Sequence, residues 1–233
     1  VSKRHVRGGM ARAIVCNSGS SNVATGEAGV RDAEQMCRWT AEHLDIRASE
    51  VLVCSTGVIG VPLPMERSER GIAEAVGQLD RGRDADAAAA RAILTTDLVP
   101  KAASTTVRLR TRTVTLAGIV KGSGMIAPNL ATMLAFLTTD ANIESRLLKQ
   151  ALRLAVEDSF NRITIDSDTS TSDSVMLLAS GAAGGRMIDE PDRDFRALLG
   201  ALTELCKDLA YQIVRDGEGA TRVFRVQVRN AWS

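Results

Sequence analysis

Residues 113–137 read TVTLAGIVKGSGMIAPNLATMLAFL, and this stretch decides the fold that we predict. Its first part, Thr113 to Val120, is apolar and rich in β-branched residues, which favours a strand. A glycine-containing loop follows, and Met133 to Leu137 is again a short apolar run typical of a strand. Two strands joined by this loop therefore form the predicted centre of the fold.

The rest of the chain alternates between segments typical of strands and segments typical of helices. Interleaving of this kind favours an α/β or α+β fold, with stacked β-sheets flanked by helices. Polar loops are expected at 17–22 and 166–174. We predict further strands at 11–16, 51–54, 105–110, 175–179 and 221–228, and helices at 32–44, 64–79, 84–94, 143–160 and 192–214.

Composition limits the classes of partner. The 233 residues carry a net charge of +1, so no basic surface indicates nucleic acid or an anionic membrane. No apolar run reaches the roughly 18 to 20 residues that span a bilayer. Widely spaced cysteines without a CxxC pair are typical of buried thiols in a reducing cytoplasm, and we predict small-molecule substrates. The cysteines are Cys16, Cys37, Cys54 and Cys206.

The spacing Gly122-x-Gly124-x-x-Ala127 resembles a dinucleotide-binding turn. That motif requires a helix after the glycines, whereas Pro128 follows here and the next segment is typical of a strand. We therefore reject a nucleotide site, and a plain loop between two strands stays open as the alternative.

Two further patterns are weak candidates for chemistry. Asp166-x-Asp168-x-Ser170 begins like a calcium loop, but the glycine and the glutamate that complete such a loop are absent, so no metal is predicted. His5 and His43 lie far from the other motifs. We interpret both histidines as surface or helix residues.

The continuous block Lys121 to Phe136 resembles the self-cleavage segment of the ornithine acetyltransferase family, whose members cut their own chain at an Ala-Thr bond. Other segments are similar to the family in the same order, so the resemblance covers nearly the whole chain. These segments are 17–26, 55–60, 95–101, 166–173 and 216–221.

The resemblance implies the family fold and cleavage between Ala131 and Thr132. The products would be an alpha segment, 1–131, and a beta segment, 132–233, that fold together as one domain. Thr132 would then carry both a hydroxyl nucleophile and a free amine, so catalysis needs no histidine.

The resemblance also implies the roles of the remaining site residues. Thr56 and Gly57 would form the oxyanion hole, and Thr95, Lys121 and Glu218 would bind the substrate together with Thr132. A lysine suits a substrate carboxylate, and a glutamate suits the ammonium of ornithine. We also expect Gly57→Ala to disturb folding only mildly while it slows transfer.

Family members transfer an acetyl group from N-acetylornithine to glutamate in arginine biosynthesis, and some also use acetyl-CoA as a donor. The resemblance implies no cofactor, and an assembly of two alpha and two beta segments. Family members continue beyond the last predicted strand, and that part supplies an asparagine and a serine to the pocket. Two alternatives therefore stay open: an N-terminal-nucleophile hydrolase or aminopeptidase, and a truncated, non-catalytic remnant.

Overall fold

The computed structural model describes residues 1–127 and 133–230. The predicted cleavage site, Ala131 and Thr132, lies outside the described residues. Six helices and six strands of the described part are used below. The helices are α1 (Ser2–His5), α2 (Gly26–Leu44), α3 (Met65–Gly77), α4 (Arg83–Ala92), α5 (Ser145–Glu157) and α6 (Arg193–Arg215), and the strands are β1 (Ala13–Ser20), β2 (Val51–Val58), β3 (Lys101–Arg108), β4 (Thr113–Lys121), β5 (Leu134–Thr139) and β6 (Ser174–Ala179).

The strands form two sheets. Strands β1 and β2 are parallel and are connected through α2, with Cys16 opposite Cys54 and Gly19 opposite Gly57. The second sheet has the order β3-β4-β5-β6, in which β3, β4 and β5 are antiparallel neighbours. Strand β6 runs parallel to β5, and α5 provides the crossover between them. The prediction of an α/β fold with stacked sheets and helices is confirmed.

Helix α6 provides most of the apolar face that covers the four-stranded sheet. Its buried residues recur at helical spacing, so that one face is continuously apolar. Asp192 begins the helix by accepting hydrogen bonds from the backbone N–H groups of Asp194 and Phe195. The buried residues that α6 and the sheet share in one core include Leu198, Leu202, Leu209, Val114, Leu116, Val120 and Leu137.

Several predicted boundaries are wrong. Helix α2 begins at Gly26 rather than at 32, and β3 begins at Lys101 rather than at 105. Two further differences concern the first sheet. Strand β1 continues through the predicted polar loop as far as Ser20, and β2 continues to Val58 rather than ending at Cys54. Both extensions have the same cause, since the backbones of the two strands pair residue by residue whatever the polarity of the side chains. Thr56 and Gly57, the predicted oxyanion hole, therefore lie within a strand and not in the turn after one.

The strand predicted at 221–228 is absent from the described part of the chain. Phe224 and Val226 are each 84% exposed. Apolar alternation favours a strand only where another strand accepts its backbone hydrogen bonds, and no described strand pairs with this segment.

The cysteines are free thiols. Cys37, Cys54 and Cys206 are buried, and Cys16 is half-buried. Within the described residues, no helix combines the length and the hydropathy that a membrane span requires.

Candidate active site

Lys121, the last residue of β4, brings two predicted site residues together. Its Nζ lies 2.8 Å from Thr95 Oγ1 and 3.4 Å from Thr56 Oγ1. Thr56 comes from β2, whereas Thr95 follows α4, so three distant segments meet at one ammonium group. Lys121 and Thr56 are buried, at 2% and 1% exposure.

Gly57 lies beside Thr56, where β2 approaches β1 most closely. Its φ is +128°, and a Cβ at this position would lie 2.5 Å from the carbonyl oxygen of Gly19 and 2.7 Å from the nitrogen of Ser20. Real side chains do not tolerate such contacts with backbone, so only glycine fits. The expectation that Gly57→Ala disturbs folding only mildly is therefore wrong.

Asp97 holds Lys121 within a buried cluster of charges. One carboxylate oxygen of Asp97 accepts from Lys101 Nζ at 2.7 Å and from the backbone N–H of Gly122 at 2.6 Å. The other oxygen lies 3.8 Å from Lys121 Nζ. Lys101 also donates to Asp216 at 2.6 Å, so two lysines and two aspartates balance in charge.

Burial opposes the charges of this cluster, and pairing maintains them. Burial lowers the pKa of Lys121, the nearby Asp97 carboxylate partly restores it, and the charge of Lys101 lowers it again. Burial alone would raise the pKa of Asp97. The hydrogen bonds from Lys101 and Gly122 and the charges of both lysines outweigh it, so the pKa is lowered. The cluster is therefore a set of ion pairs.

Glu218 lies in the turn after α6 and contacts the glycine-containing loop that follows Lys121. Its backbone N–H donates to the carbonyl oxygen of Ser123 at 2.7 Å. A Cβ on Gly124 would lie 2.7 Å from Glu218 Oε2 and 3.3 Å from Asp166 Oδ2, so two carboxylates approach the loop at one point. Glu218 is exposed, and its described hydrogen bond connects it to the loop rather than to Thr56 or Thr95.

Asp173 is a residue that sequence reasoning treated only as part of a supporting loop. Its Oδ1 accepts the backbone N–H of Met133 at 2.6 Å, and its Oδ2 is buried without a described partner. Burial raises the pKa of Asp173 to about 7, against the opposing effects of the Met133 hydrogen bond and the Lys121 charge. A carboxyl group that titrates near neutrality thus lies beside the residue that follows Thr132 in the chain.

Sequence reasoning also missed the roles of Asp97, Lys101 and Asp216. All three lie in the segments 95–101 and 216–221 that carried the resemblance. The available signal was Lys101 at the start of a strand in which half-buried and exposed residues alternate, with Lys101 on the less exposed face. A lysine on a buried face needs an acidic partner, but nothing local indicates which one.

A cavity of about 400 Å³ reaches Ser55, the neighbour of Thr56 in the chain, but none of the predicted site residues lines it. It opens between the N-terminus of α2 and the loop before β6. Asn22, Thr25, Ser55 and Ser172 line it.

The chain matches a family model and several curated relatives. A model described as the ArgJ family matches residues 1–233. The arginine biosynthesis bifunctional protein ArgJ of Symbiobacterium thermophilum is 49% identical over 223 residues, which are 96% of this chain and 55% of that protein. The protein of the same name from Thermotoga neapolitana is 50% identical over 220 residues, again 55% of its length.

A crystal structure of the ArgJ protein of Bacillus halodurans is 42% identical, with a TM-score of 0.46, and the match covers 50% of this chain and 60% of that chain. The chain spans about half the length of the curated relatives that it matches. The family model nevertheless matches along the whole chain, which confirms the resemblance carried by residues 121–136. The chain therefore belongs to the ArgJ family.

Proposed function

We propose that this protein acts in arginine biosynthesis and transfers an acetyl group from N-acetylornithine to glutamate through an acetyl-Thr132 intermediate. Relatives about 50% identical are named arginine biosynthesis bifunctional proteins. The observation that carries the proposal is the convergence of Thr56 and Thr95 on Lys121, which precedes Thr132 by eleven positions in the sequence.

In the first half-reaction, the hydroxyl oxygen of Thr132 attacks the acetyl carbonyl carbon. The amine of the same residue accepts the hydroxyl proton and passes it to the departing nitrogen of ornithine. The backbone N–H of Gly57 and the hydroxyl of Thr56 hold the negative oxygen of the tetrahedral intermediate. Two preorganised donors of this kind supply several kcal/mol of transition-state stabilisation.

In the second half-reaction, the amine of glutamate attacks the acetyl ester on Thr132. The C–O bond to Thr132 breaks, the hydroxyl recovers a proton, and N-acetylglutamate leaves. The same two oxyanion donors serve both halves. Acetyl-CoA would enter as an alternative acetyl donor by the same route, and the scheme uses no cofactor.

The charges near the site suit these substrates. The ammonium of ornithine would meet Glu218, with Asp166 close to the same glycine. The remaining N–H of Lys121 would serve the carboxylate common to both substrates. Glutamate has a carboxylate where ornithine has its ammonium. Glu218 therefore contributes chiefly to binding N-acetylornithine in the first half-reaction.

Self-cleavage would create the nucleophile. The Thr132 hydroxyl would attack the carbonyl of Ala131, and hydrolysis of the resulting ester would yield segments 1–131 and 132–233. Hydrogen bonding between β4 and β5 supports one co-folded domain, because these strands come from the two segments and would hold them together. An assembly of two alpha and two beta segments in the cytoplasm completes the proposal.

Intact-mass measurement with acetyl-transfer assays tests this function. The wild-type chain should be found as two segments and should produce N-acetylglutamate only when glutamate is present. Thr132→Ala should remain intact and inactive, because it lacks the hydroxyl for both steps, whereas Thr132→Ser should retain part of each activity. An intact wild-type chain would favour the remnant, and equal release of free acetate without glutamate would favour a hydrolase.

A further inference from the structure

The hydrogen bonds of Lys121 restrict where the hydroxyl hydrogens of its neighbours can point. An ammonium group only donates, whereas a hydroxyl has one donor hydrogen and two acceptor lone pairs. Thr95 Oγ1 at 2.8 Å and Thr56 Oγ1 at 3.4 Å must therefore accept from Lys121 Nζ. The hydrogen of each hydroxyl is consequently left to donate to another group.

Asp97 is the anion that keeps this arrangement in place. Its Oδ2 lies 3.8 Å from Lys121 Nζ, while its Oδ1 is held by Lys101 and by the backbone of Gly122. Oδ2 also accepts the backbone N–H of Thr95 at 3.2 Å, and these three donors keep the carboxylate facing Lys121. The other charged or titratable groups that act on Lys121 are Lys101, Cys16 and Asp173.

We propose that Lys121 is a positioning residue of the oxyanion hole: held by Asp97, its ammonium occupies lone pairs of Thr56 and Thr95 and turns the Thr56 hydrogen towards the developing oxyanion. This inference deepens the proposed function, because it takes Thr56 as an oxyanion donor. It differs from a role in binding a substrate carboxylate, which would use the remaining N–H of Lys121.

Deprotonation of Lys121 would reverse the hydrogen bond. A neutral amine has a lone pair, so the Thr56 hydroxyl would donate to Nζ and its hydrogen would leave the oxyanion hole. Loss of the charge should then lower kcat, because the transition state loses a donor, whereas weaker binding of a substrate carboxylate by Lys121 would by itself raise only KM. Since burial lowers the pKa of Lys121, this loss should begin below the pH at which an exposed lysine titrates.

The first test measures the charge of Lys121 without any activity assay. The chain has five lysines, so isotope labelling of lysine should yield a simple NMR spectrum of the side chains, with Lys121 assigned from its absence in Lys121→Gln. Asp97→Asn should lower the titration midpoint of Lys121 by roughly one to three pH units, because it removes the nearby anion. Asp216→Asn is the matched control, since Asp216 pairs with Lys101, and should leave the midpoint in place.

The second test follows acetyl-enzyme formation as a function of pH. In Asp97→Asn, the alkaline fall in kcat should move to lower pH by the same interval as the NMR midpoint. Thr56→Val leaves the buried charges intact. It should abolish the alkaline fall in kcat, because no Thr56 hydroxyl remains whose hydrogen bond with Lys121 could change direction. This variant decides the question even if Asp97→Asn does not fold.

The outcomes separate this inference from the proposed function. An unshifted NMR midpoint in Asp97→Asn, an alkaline fall that persists in Thr56→Val, or a loss confined to KM would each overturn the inference. A wild-type protein without acetyl transfer would overturn the proposed function. Even then, a lower Lys121 titration midpoint in Asp97→Asn than in wild type would show that Asp97 stabilises the charge of Lys121.

Discussion

Gly57→Ala should be among the most destabilising single substitutions in this chain. The added methyl would press against the backbone of Gly19 and Ser20 on β1. These backbone atoms are held by strand pairing and cannot move aside as a flexible side chain could. The residue would also have to keep a φ of +128°, which L residues with a Cβ rarely adopt. Strain of this kind costs about 1–3 kcal/mol, and overpacking against fixed atoms costs another ~1–3 kcal/mol.

The expected loss is therefore roughly 2–6 kcal/mol, a large part of the about 5–15 kcal/mol that stabilises a typical domain. Urea unfolding followed by circular dichroism would measure it. Gly60→Ala is a matched control, because Gly60 has a φ of +80° with no atom close to the new methyl, so it should lose only about 1–2 kcal/mol. Gly71→Ala, within α3 and also in open space, should gain about 0.5–1 kcal/mol.

The order of the three variants is decisive. If Gly57→Ala unfolds at the same urea concentration as Gly60→Ala, the close approach of β1 and β2 at Gly57 is refuted. The expected result also means that Gly57→Ala cannot isolate the contribution of the oxyanion donor. That donor is a backbone N–H, so Thr56→Val is the more informative kinetic variant.

Three further predictions follow from individual contacts. Lys101→Met should cost about 3–5 kcal/mol in urea unfolding, since it leaves Asp97 and Asp216 buried without their partner, and Lys207→Met, at an exposed ion pair, should cost about 1 kcal/mol or less; equal costs would contradict the cluster. Asp173 has a folded pKa of about 7, above its unfolded value of 3.8, so its contribution to stability is complete below pH 3.8 and disappears as the pH rises through 7. Asp173→Asn should therefore gain stability relative to wild type between pH 4.5 and pH 8, whereas a constant difference would show that the pKa is not raised. Glu218→Gln should slow acetylation of Thr132 by N-acetylornithine more than its discharge to glutamate, as mass measurement of the acetyl-enzyme would show; equal losses would mean that Glu218 only shapes its turn.

Local pattern was sufficient for most of the elements, whereas part of the site was predicted through family resemblance. The β-branched run 113–120 and the apolar run 133–137 predicted the neighbouring strands β4 and β5. The spacing of leucines at 192–214 predicted helix α6. Such elements depend on near neighbours in the chain, which a sequence displays directly. Lys121, Thr56 and Thr95 were identified only through the family resemblance of their segments, and they do meet in space.

Tertiary structure decided what depends on distant neighbours. Lys101 and Asp216 are separated by 115 positions, so no local pattern pairs them, and their burial follows from the packing of α6 on β3. The segment 221–228 has the alternation of a strand but finds no described partner for its backbone. The raised pKa of Asp173 and the exclusion of a side chain at Gly57 likewise arise from burial and close approach. Both are properties of atoms brought together by folding, because solvation and steric contact depend on distance in space and not on order along the chain.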